Sequence, residues 1–420
     1  MSTSYPLPGA TRRALLIGAG AGAATLAVPA LAGVAAARPS EVDTVLEWYD
    51  VTAATIGVIS GPLQVNSSRT WAIGWIAAWR AVTRTRREAP AAAALAGAVH
   101  ETLTTLVSAR TADLDAALAV TLGRLGTSPA VRAAVDGGRE AARAVLAERA
   151  NDGLDLASVN RPFPPPAPAP GVWQPTPPGF AAAVQAGQGD GRPFLVDDVR
   201  AYLPGPPPGL DTARYARDLA EIRAVGAADS ALRTARQTDV ARFWAQSSLN
   251  GYTGALRAAV AAAPRQADGH GIARRVALVA LFHAATIDAQ ITTYAAKYRY
   301  LRWRPVTAVR GGDIAPDPAW TPLITTPAHP EYPSGHTTYA GAAETVLRTL
   351  ARPPVRPVAL TSPVAPGITL TYRDWRELTR DNVDARVWSG IHFRHTDEVG
   401  AAVGRRVAAA GLARWDGRPL

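Results

Sequence analysis

Residues 161 to 178 read RPFPPPAPAPGVWQPTPP, and no regular element tolerates proline at that density. Each proline removes a backbone N–H and clashes with the preceding turn, so helix and central strand are both excluded. A second stretch, 186 to 209, is also poor in helix and strand formers and ends in LPGPPPG. The chain must therefore place its ordered elements on either side of an extended connector, 161–210. Trp173 within it predicts that the connector is pinned to a domain surface.

Both flanks read as helix. In the N-terminal region, 38–160, Trp71, Trp75 and Trp79 recur every four residues, one stripe on one helix face. Such a stripe is expected to pack in the core rather than to form a cofactor platform. Helical patterning resumes at Asp211 with TARYARDLAEIRAVGA and ALRTARQTDVARFWAQSS. A long apolar segment carrying Lys297 follows, then a Pro-rich loop over 311–333, a helix starting after PSGH, and one over about 384–413. No strand series and no internal repeat is evident. The expected fold is all-α, a helical bundle or a pair of packed helical layers, with the core of the chemistry in 211–420. The segment VALVALFHAATIDAQITTYAA, 276–296, has the length of a membrane span, but His283, Asp288 and Gln290 interrupt it. It is expected as a core helix, with His283 and Asp288 as satisfied core polar groups.

The formal charge of +10 and pI near 10.3 raise the question of an anionic partner. The arginines are scattered among acids and no nucleic-acid motif is present, so no nucleic-acid partner is expected. With no cysteine, disulfides, thiol catalysis and Cys-ligated metals are excluded. Met1 is the only methionine, a composition that suits a protein exposed to oxidant. Arg12 and Arg13 precede a Gly-rich apolar stretch that ends in Ala35, Ala36 and Ala37. Residues 1–37 read as a twin-arginine signal peptide, which implies export and no stable membrane insertion after cleavage.

Three clusters carry the chemistry. Lys297 and Arg304 are separated by six residues, and on a continuous helix that spacing puts both on one face. In HPEYPSGH, 329–336, Ser334 and Gly335 sit where a helix would begin, so free amides and a hydroxyl offer an anion site beside His336. Arg386 and His392 follow, with five residues between them. Lys297 is the only lysine among 44 basic residues. Three cations, a hydroxyl, free amides and two imidazoles suit a tetrahedral oxyanion such as phosphate or vanadate, not a bound metal cation.

In this order, K-x6-RP, PSGH and R-x5-H resemble the superfamily of type 2 phosphatidic acid phosphatases (PAP2) and vanadium-dependent haloperoxidases. The spacings agree with it: 27 residues lie between Pro305 and Pro333, and 49 between His336 and Arg386. PGVWQPTPPGF, RTARQTDVARFW, KYRYLRWRPVTAVR and HPEYPSGHTTYAGAAE are similar to exported bacterial haloperoxidases, and the resemblance covers roughly residues 40 to 415. It implies that Lys297, Arg304 and Arg386 bind equatorial oxygens, completed by Ser334 and the amide of Gly335. It implies that His392 is the axial group, ligating vanadium in haloperoxidases or carrying phosphate in phosphatases, and that His336 is the acid/base. It further implies that Lys297 polarises bound peroxide, where a planar guanidinium would crowd a small ligand.

Some positions depart from the family's habit. Ala385 stands where serine often precedes the motif arginine. Phosphatases usually place an aspartate four residues after the last motif histidine; here that residue is Thr396, with Asp397 one further on. His329 resembles a bromoperoxidase histidine and is either a tuning residue or a plain loop residue. Tyr294 and Tyr298 read equally as pocket wall or core, and His395 as a neighbour of His392 or as surface. His100 and His270 carry no assigned role.

The expected function is a secreted vanadium-dependent haloperoxidase with vanadate as cofactor, oxidising halide, bromide ahead of chloride, with hydrogen peroxide and acting on an organic acceptor. The alternative is a soluble acid phosphatase with phosphate at the same site and a phospho-His392 intermediate. A non-catalytic scaffold would be expected to have lost a motif residue, and none is missing. Long helical surfaces permit a homodimer, although nothing specifies one.

Overall fold

The computed structural model describes residues 43–57, 64–264 and 269–415. The twin-arginine segment lies outside the described residues. Asp43–Leu420 is one compact unit, and it is all-α apart from one hairpin. The described residues form fourteen α-helices. Before the connector these are α1 (Thr44–Gly57), α2 (Gln64–Val82), α3 (Glu88–Leu106), α4 (Thr111–Leu125), α5 (Pro129–Glu148) and the short α6 (Leu156–Val159). After it come α7 (Ala213–Val225), α8 (Ala235–Phe243), α9 (Ser248–Ala262), α10 (Gly269–Tyr300), α11 (Pro305–Gly311) and α12 (Gly335–Leu350). Strands β1 (Val358–Thr361) and β2 (Thr369–Tyr372) precede α13 (Trp375–Trp388) and α14 (Arg394–Arg414). The strands pair antiparallel, Val358 opposite Tyr372. At four residues each they are too short to show in the sequence as alternation.

Local signals start many of these helices. Ser128, Thr212 and Ser247 cap α5, α7 and α9 through their side chains. Thr234 with Gln237, and Asp374 with Glu377, form capping boxes on α8 and α13. Helix α10 is the central post. It packs against α2 on one side and α12 on another, and α12 lies along α14. Its apolar window is long enough to cross a membrane but is buried inside the protein. Helices from before and after the connector share the main hydrophobic core, while α7 and α11 pack into a second, smaller cluster. Trp71, Trp75 and Trp79 are all buried in that core.

The connector is tied down at several points. Trp173 is fully buried, and its backbone N–H donates to Leu301 O at 2.6 Å. The Asp288 carboxylate accepts the amides of Phe194, Leu195 and Val196 at 2.6, 2.7 and 3.0 Å. Asp288 is thus a satisfied core group. His283 is not: it is stacked on Trp71 at 4.6 Å, and neither ring nitrogen has a hydrogen-bond partner.

Two expectations about helix extent are corrected. Lys297 and Arg304 do not share a helix face. α10 ends at Tyr300, Leu301 takes a positive φ of 48°, and Arg304 is the extended residue before α11. A residue that precedes proline is pushed out of helical conformation, which breaks the assumed two turns. The helix expected over 384–413 is two helices, broken at Ser389–Phe393. Gly390 makes the break, with φ 77°; a Cβ there would lie 2.3 Å from Gly226 O. The turn it creates carries His392.

Candidate active site

The site is built on four helix ends and the turn before α14. The C-terminal turn of α10 brings Lys297, the residue capping α11 is Arg304, and the start of α12 brings Ser334, Gly335 and His336. Arg386 comes from the last turn of α13 and His392 from the turn before α14. The loop before α12 crosses the assembly and is held from below. Lys297 Nζ donates to the carbonyls of Pro330 and Glu331 at 2.8 and 2.9 Å. Gln290 Nε2 donates to Gly335 O at 2.8 Å. An ammonium has three donors, so one N–H of Lys297 remains for a ligand.

Helix α12 begins at Gly335, slightly earlier than expected, with Ser334 at the capping position. The Ser334 side chain makes no bond to its own helix, and its buried hydroxyl has no aligned partner. By their place in the first turn, the amides of Gly335 and His336 have no intrahelical acceptor. The amides therefore remain free for an anion, as a helix N-terminus favours, and the hydroxyl faces the Asp397 carboxylate.

The two principal histidines hold opposite tautomers, assigned from their partners. Arg304 Nη1 can only donate, and it lies 3.1 Å from His392 Nε2. That nitrogen therefore carries the lone pair, and Nδ1–H points at Glu331 Oε1, 2.9 Å away. His336 Nε2 lies 2.9 Å from Gln246 O, which can only accept, so in His336 Nδ1 carries the lone pair. His329 Nδ1 is 3.1 Å from both Arg304 Nη2 and Pro330 O. One is a donor and the other an acceptor, so the ring makes one of these bonds at a time, and the charged donor is the stronger.

Burial sets the electrostatics. It pushes Arg304 and Arg386 down to about 10, still protonated at neutral pH. Burial, then Arg304, lowers Lys297 well below the usual ammonium range. His329, His336 and His392 are all pushed well below 6.5, by burial first and then by the surrounding cations. Burial raises Glu331 to about 7 against the pull of Arg304 and Lys297, and it raises Asp397 well above the carboxylate range. His392 and Glu331 are accordingly a hydrogen-bonded pair with a neutral imidazole. The result is a cationic pocket with neutral imidazoles and weakened acids, which favours an anion. Among the described residues no group of His, Asp and Glu could hold a metal cation. The donor set, with an imidazole lone pair at its centre and the orphan Ser334 hydroxyl, fits an oxyanion such as vanadate or phosphate.

A cavity of about 300 Å³ opens onto this cluster, lined by Gly335, His336, Arg386, His392 and His329 among others. Arg304 touches His392 and His329, and Lys297 Cε is 4.0 Å from the place of a Gly335 Cβ. All eight predicted site residues therefore meet in one cluster. Tyr294 is cavity wall, edge-on to His329 at 5.3 Å, whereas Tyr298 bonds the connector at Val184 O. His395 is not a partner of His392; it stacks on Tyr332, and its backbone N–H donates to Asp218.

Nothing in the sequence singles out Glu331, and Asp397, one residue beyond the place where phosphatases carry an aspartate, is not the partner of His392. The carboxylate beside His392 is Glu331. Asp397 faces Ser334 and Arg386 and makes no hydrogen bond with His392. The available signal was Thr396: it stands where the phosphatases resembled by the motifs have an aspartate, which calls for an acid from elsewhere.

Residues 277–416 match the family model described as the VCPO second helical-bundle domain. No curated protein sequence matches the chain. Among solved structures, a bacterial vanadium-dependent iodoperoxidase superposes with TM-score 0.70 at 24% identity, covering 90% of this chain and 96% of that one. A bacterial vanadium-dependent chloroperoxidase superposes in its apo form with TM-score 0.67 at 18% identity, covering 85% and 95%. Its holo form gives 0.67 at 18%, covering 89% and 97%.

Proposed function

We propose that the chain is a vanadate-dependent haloperoxidase of the vanadium haloperoxidase/PAP2-like superfamily, a reading supported by the family-model match over residues 277–416. It oxidises halide, bromide ahead of chloride, with hydrogen peroxide. The reading is carried by one observation: the unprotonated Nε2 of His392 faces a buried cradle of three cations. The solved structures it resembles, an iodoperoxidase and a chloroperoxidase, support it. Export by the twin-arginine route, with Arg12 and Arg13 as the signal, is part of the same proposal.

Vanadate, when bound, supplies the Lewis-acidic centre at which peroxide becomes reactive toward halide. His392 would hold it through Nε2. Arg304, Arg386 and the third N–H of Lys297 would neutralise the oxyanion's charge, and Ser334 Oγ and the Gly335 amide would donate to its oxygens. His336 receives or returns a proton at Nδ1, with its ring fixed by Gln246 O. His329, at the cavity wall and in contact with Arg304, is placed to tune the site. The acceptor is a small organic molecule reached from the cavity.

A second reading keeps support from a specific contact. A carboxylate behind His392 also suits a histidine nucleophile in a phosphatase, so the lack of an acid at Thr396 does not count against phosphotransfer. The two readings part in one experiment on the mature chain, residues 38–420, in phosphate-free buffer. Orthovanadate, peroxide, bromide and a bromination dye go to one sample, and p-nitrophenyl phosphate to a vanadate-free one. Vanadate-dependent bromination, abolished in His392→Ala, is the expected result. Ester hydrolysis that vanadate inhibits, without bromination, overturns it in favour of the phosphatase.

A further inference from the structure

Glu331 is fully buried, and its carboxylate accepts from three donors. Oε1 takes His392 Nδ1–H at 2.9 Å and the Phe393 amide at 3.0 Å. Oε2 takes the Thr396 hydroxyl at 2.8 Å. The backbone is fixed on both sides: Glu331 N donates to Arg302 O at 2.9 Å, and Glu331 O accepts from Lys297 Nζ at 2.9 Å. A buried carboxylate with this many partners and no freedom to turn is built for its contacts, because each donor left unpaired in the interior is destabilising.

The position one helical turn after His392 is Thr396, which donates to the carboxylate rather than supplying one. The neighbouring acid, Asp397, is directed at Ser334 and Arg386. In this chain Nδ1–H is held from the loop that precedes α12, not from the helix that follows His392.

We propose that Glu331 is the positioning carboxylate of His392, gripping Nδ1–H so that the Nε2 lone pair is presented to the oxyanion. A carboxylate behind a ligating imidazole fixes the ring and raises its donor strength, and losing such a partner typically lowers affinity tenfold to a hundredfold. Lys297 acts on the same element from the opposite side by clamping the loop that carries Glu331. The Glu331 contact holds for vanadate or phosphate alike; only its effect on catalysis rests on the function proposed above.

The test uses the mature protein labelled with ¹⁵N-histidine, with His392 assigned by comparison with His392→Gln. The Nδ1–H proton of His392 is read by NMR, and orthovanadate and orthophosphate affinities by calorimetry. In the unmodified protein that proton is expected far downfield and slow to exchange. Glu331→Leu removes the acceptor; the signal moves upfield or exchanges away, and both affinities fall roughly tenfold to a hundredfold. Glu331→Gln keeps an acceptor oxygen and the ring's place but loses the charge, so signal and affinity fall between. Asp397→Asn leaves the His392 proton where it was. The proposal is overturned if the unmodified protein shows no protonated Nδ1 on His392, a result that needs no variant to fold. It is also overturned if both Glu331 variants keep the signal and affinities, or if Asp397→Asn alone moves the signal. Absence of bromination with the signal pattern as expected overturns the peroxidase reading and leaves this one standing.

Discussion

Arg304 Nη1 donates to His392 Nε2 across 3.1 Å, so the cation and the imidazole lone pair of the site are paired with each other. The same guanidinium reaches His329 O and Ile391 O, both at 2.9 Å. One planar fork thus sets the distance between the loop before α12 and the turn before α14. Arg304→Lys keeps the charge but lacks the fork. Loss of a charge-assisted bond amounts to about 1.5–3 kcal/mol, so phosphate and vanadate should bind roughly tenfold to a hundredfold more weakly. Calorimetric titration checks this, and affinities within twofold of the original would show the fork to be dispensable.

Lys297 clamps two carbonyls, and its removal should be felt in stability as well as in binding. Lys297→Met fills the same space but leaves the carbonyls of Pro330 and Glu331 unpaired. Relief of a buried charge offsets part of that penalty. The net expectation is a loss of roughly 1–3 kcal/mol, read by urea unfolding, together with weaker phosphate binding. An unchanged unfolding midpoint would mean that the loop is held by other contacts.

The register of α12 on α14 is set by glycines. A Cβ on Gly400 would lie 2.3 Å from Thr337 Oγ1 and 2.8 Å from Ser334 O, and one on Gly404 would lie 2.0 Å from Thr338 O. Gly400→Ala should therefore push the two helices apart, cost roughly 1–3 kcal/mol, and weaken anion binding by displacing Ser334. Gly123, inside α4 with nothing within 4 Å of its Cβ position, is the control. There alanine should stabilise by up to about 1 kcal/mol. Thermal unfolding of the pair decides the matter: equal shifts would refute the packing argument.

Residue types and order were enough to single out a candidate anion site whose residues the fold brings together, because three cations, a helix-start serine and two histidines suit few other ligands. The all-α class followed from proline placement and helical periodicity. What the sequence concealed was set by long-range geometry. The convergence of Lys297 and Arg304 depends on a break at Leu301, not on a shared face. The turn carrying His392 depends on Gly390 fitting against Gly226, which is distant in sequence. Glu331 sits five residues before a recognised motif member, yet its side chain crosses to the turn before α14. His283 broke the rule that buried polar groups are paired, and no local pattern marks such a residue.

That unpaired histidine makes stability depend on acid. Burial holds His283 down at about 3 in the folded protein, whereas an exposed histidine titrates near 6.5. Below about pH 6.5 the unfolded chain takes up a proton that the folded chain refuses, so the unfolded state gains. Stability contributed by this residue is intact above pH 6.5 and falls by up to about 1.4 kcal/mol for each pH step below it, until near pH 3. His283→Phe keeps an aromatic ring to stack on Trp71 and removes the titration. Relative to the unmodified protein, the variant should gain roughly 3 kcal/mol between pH 7 and pH 4. Guanidinium unfolding at pH 7, 5.5 and 4 measures it. Parallel stability curves for the two proteins would mean that His283 is protonated in the fold or finds a partner there.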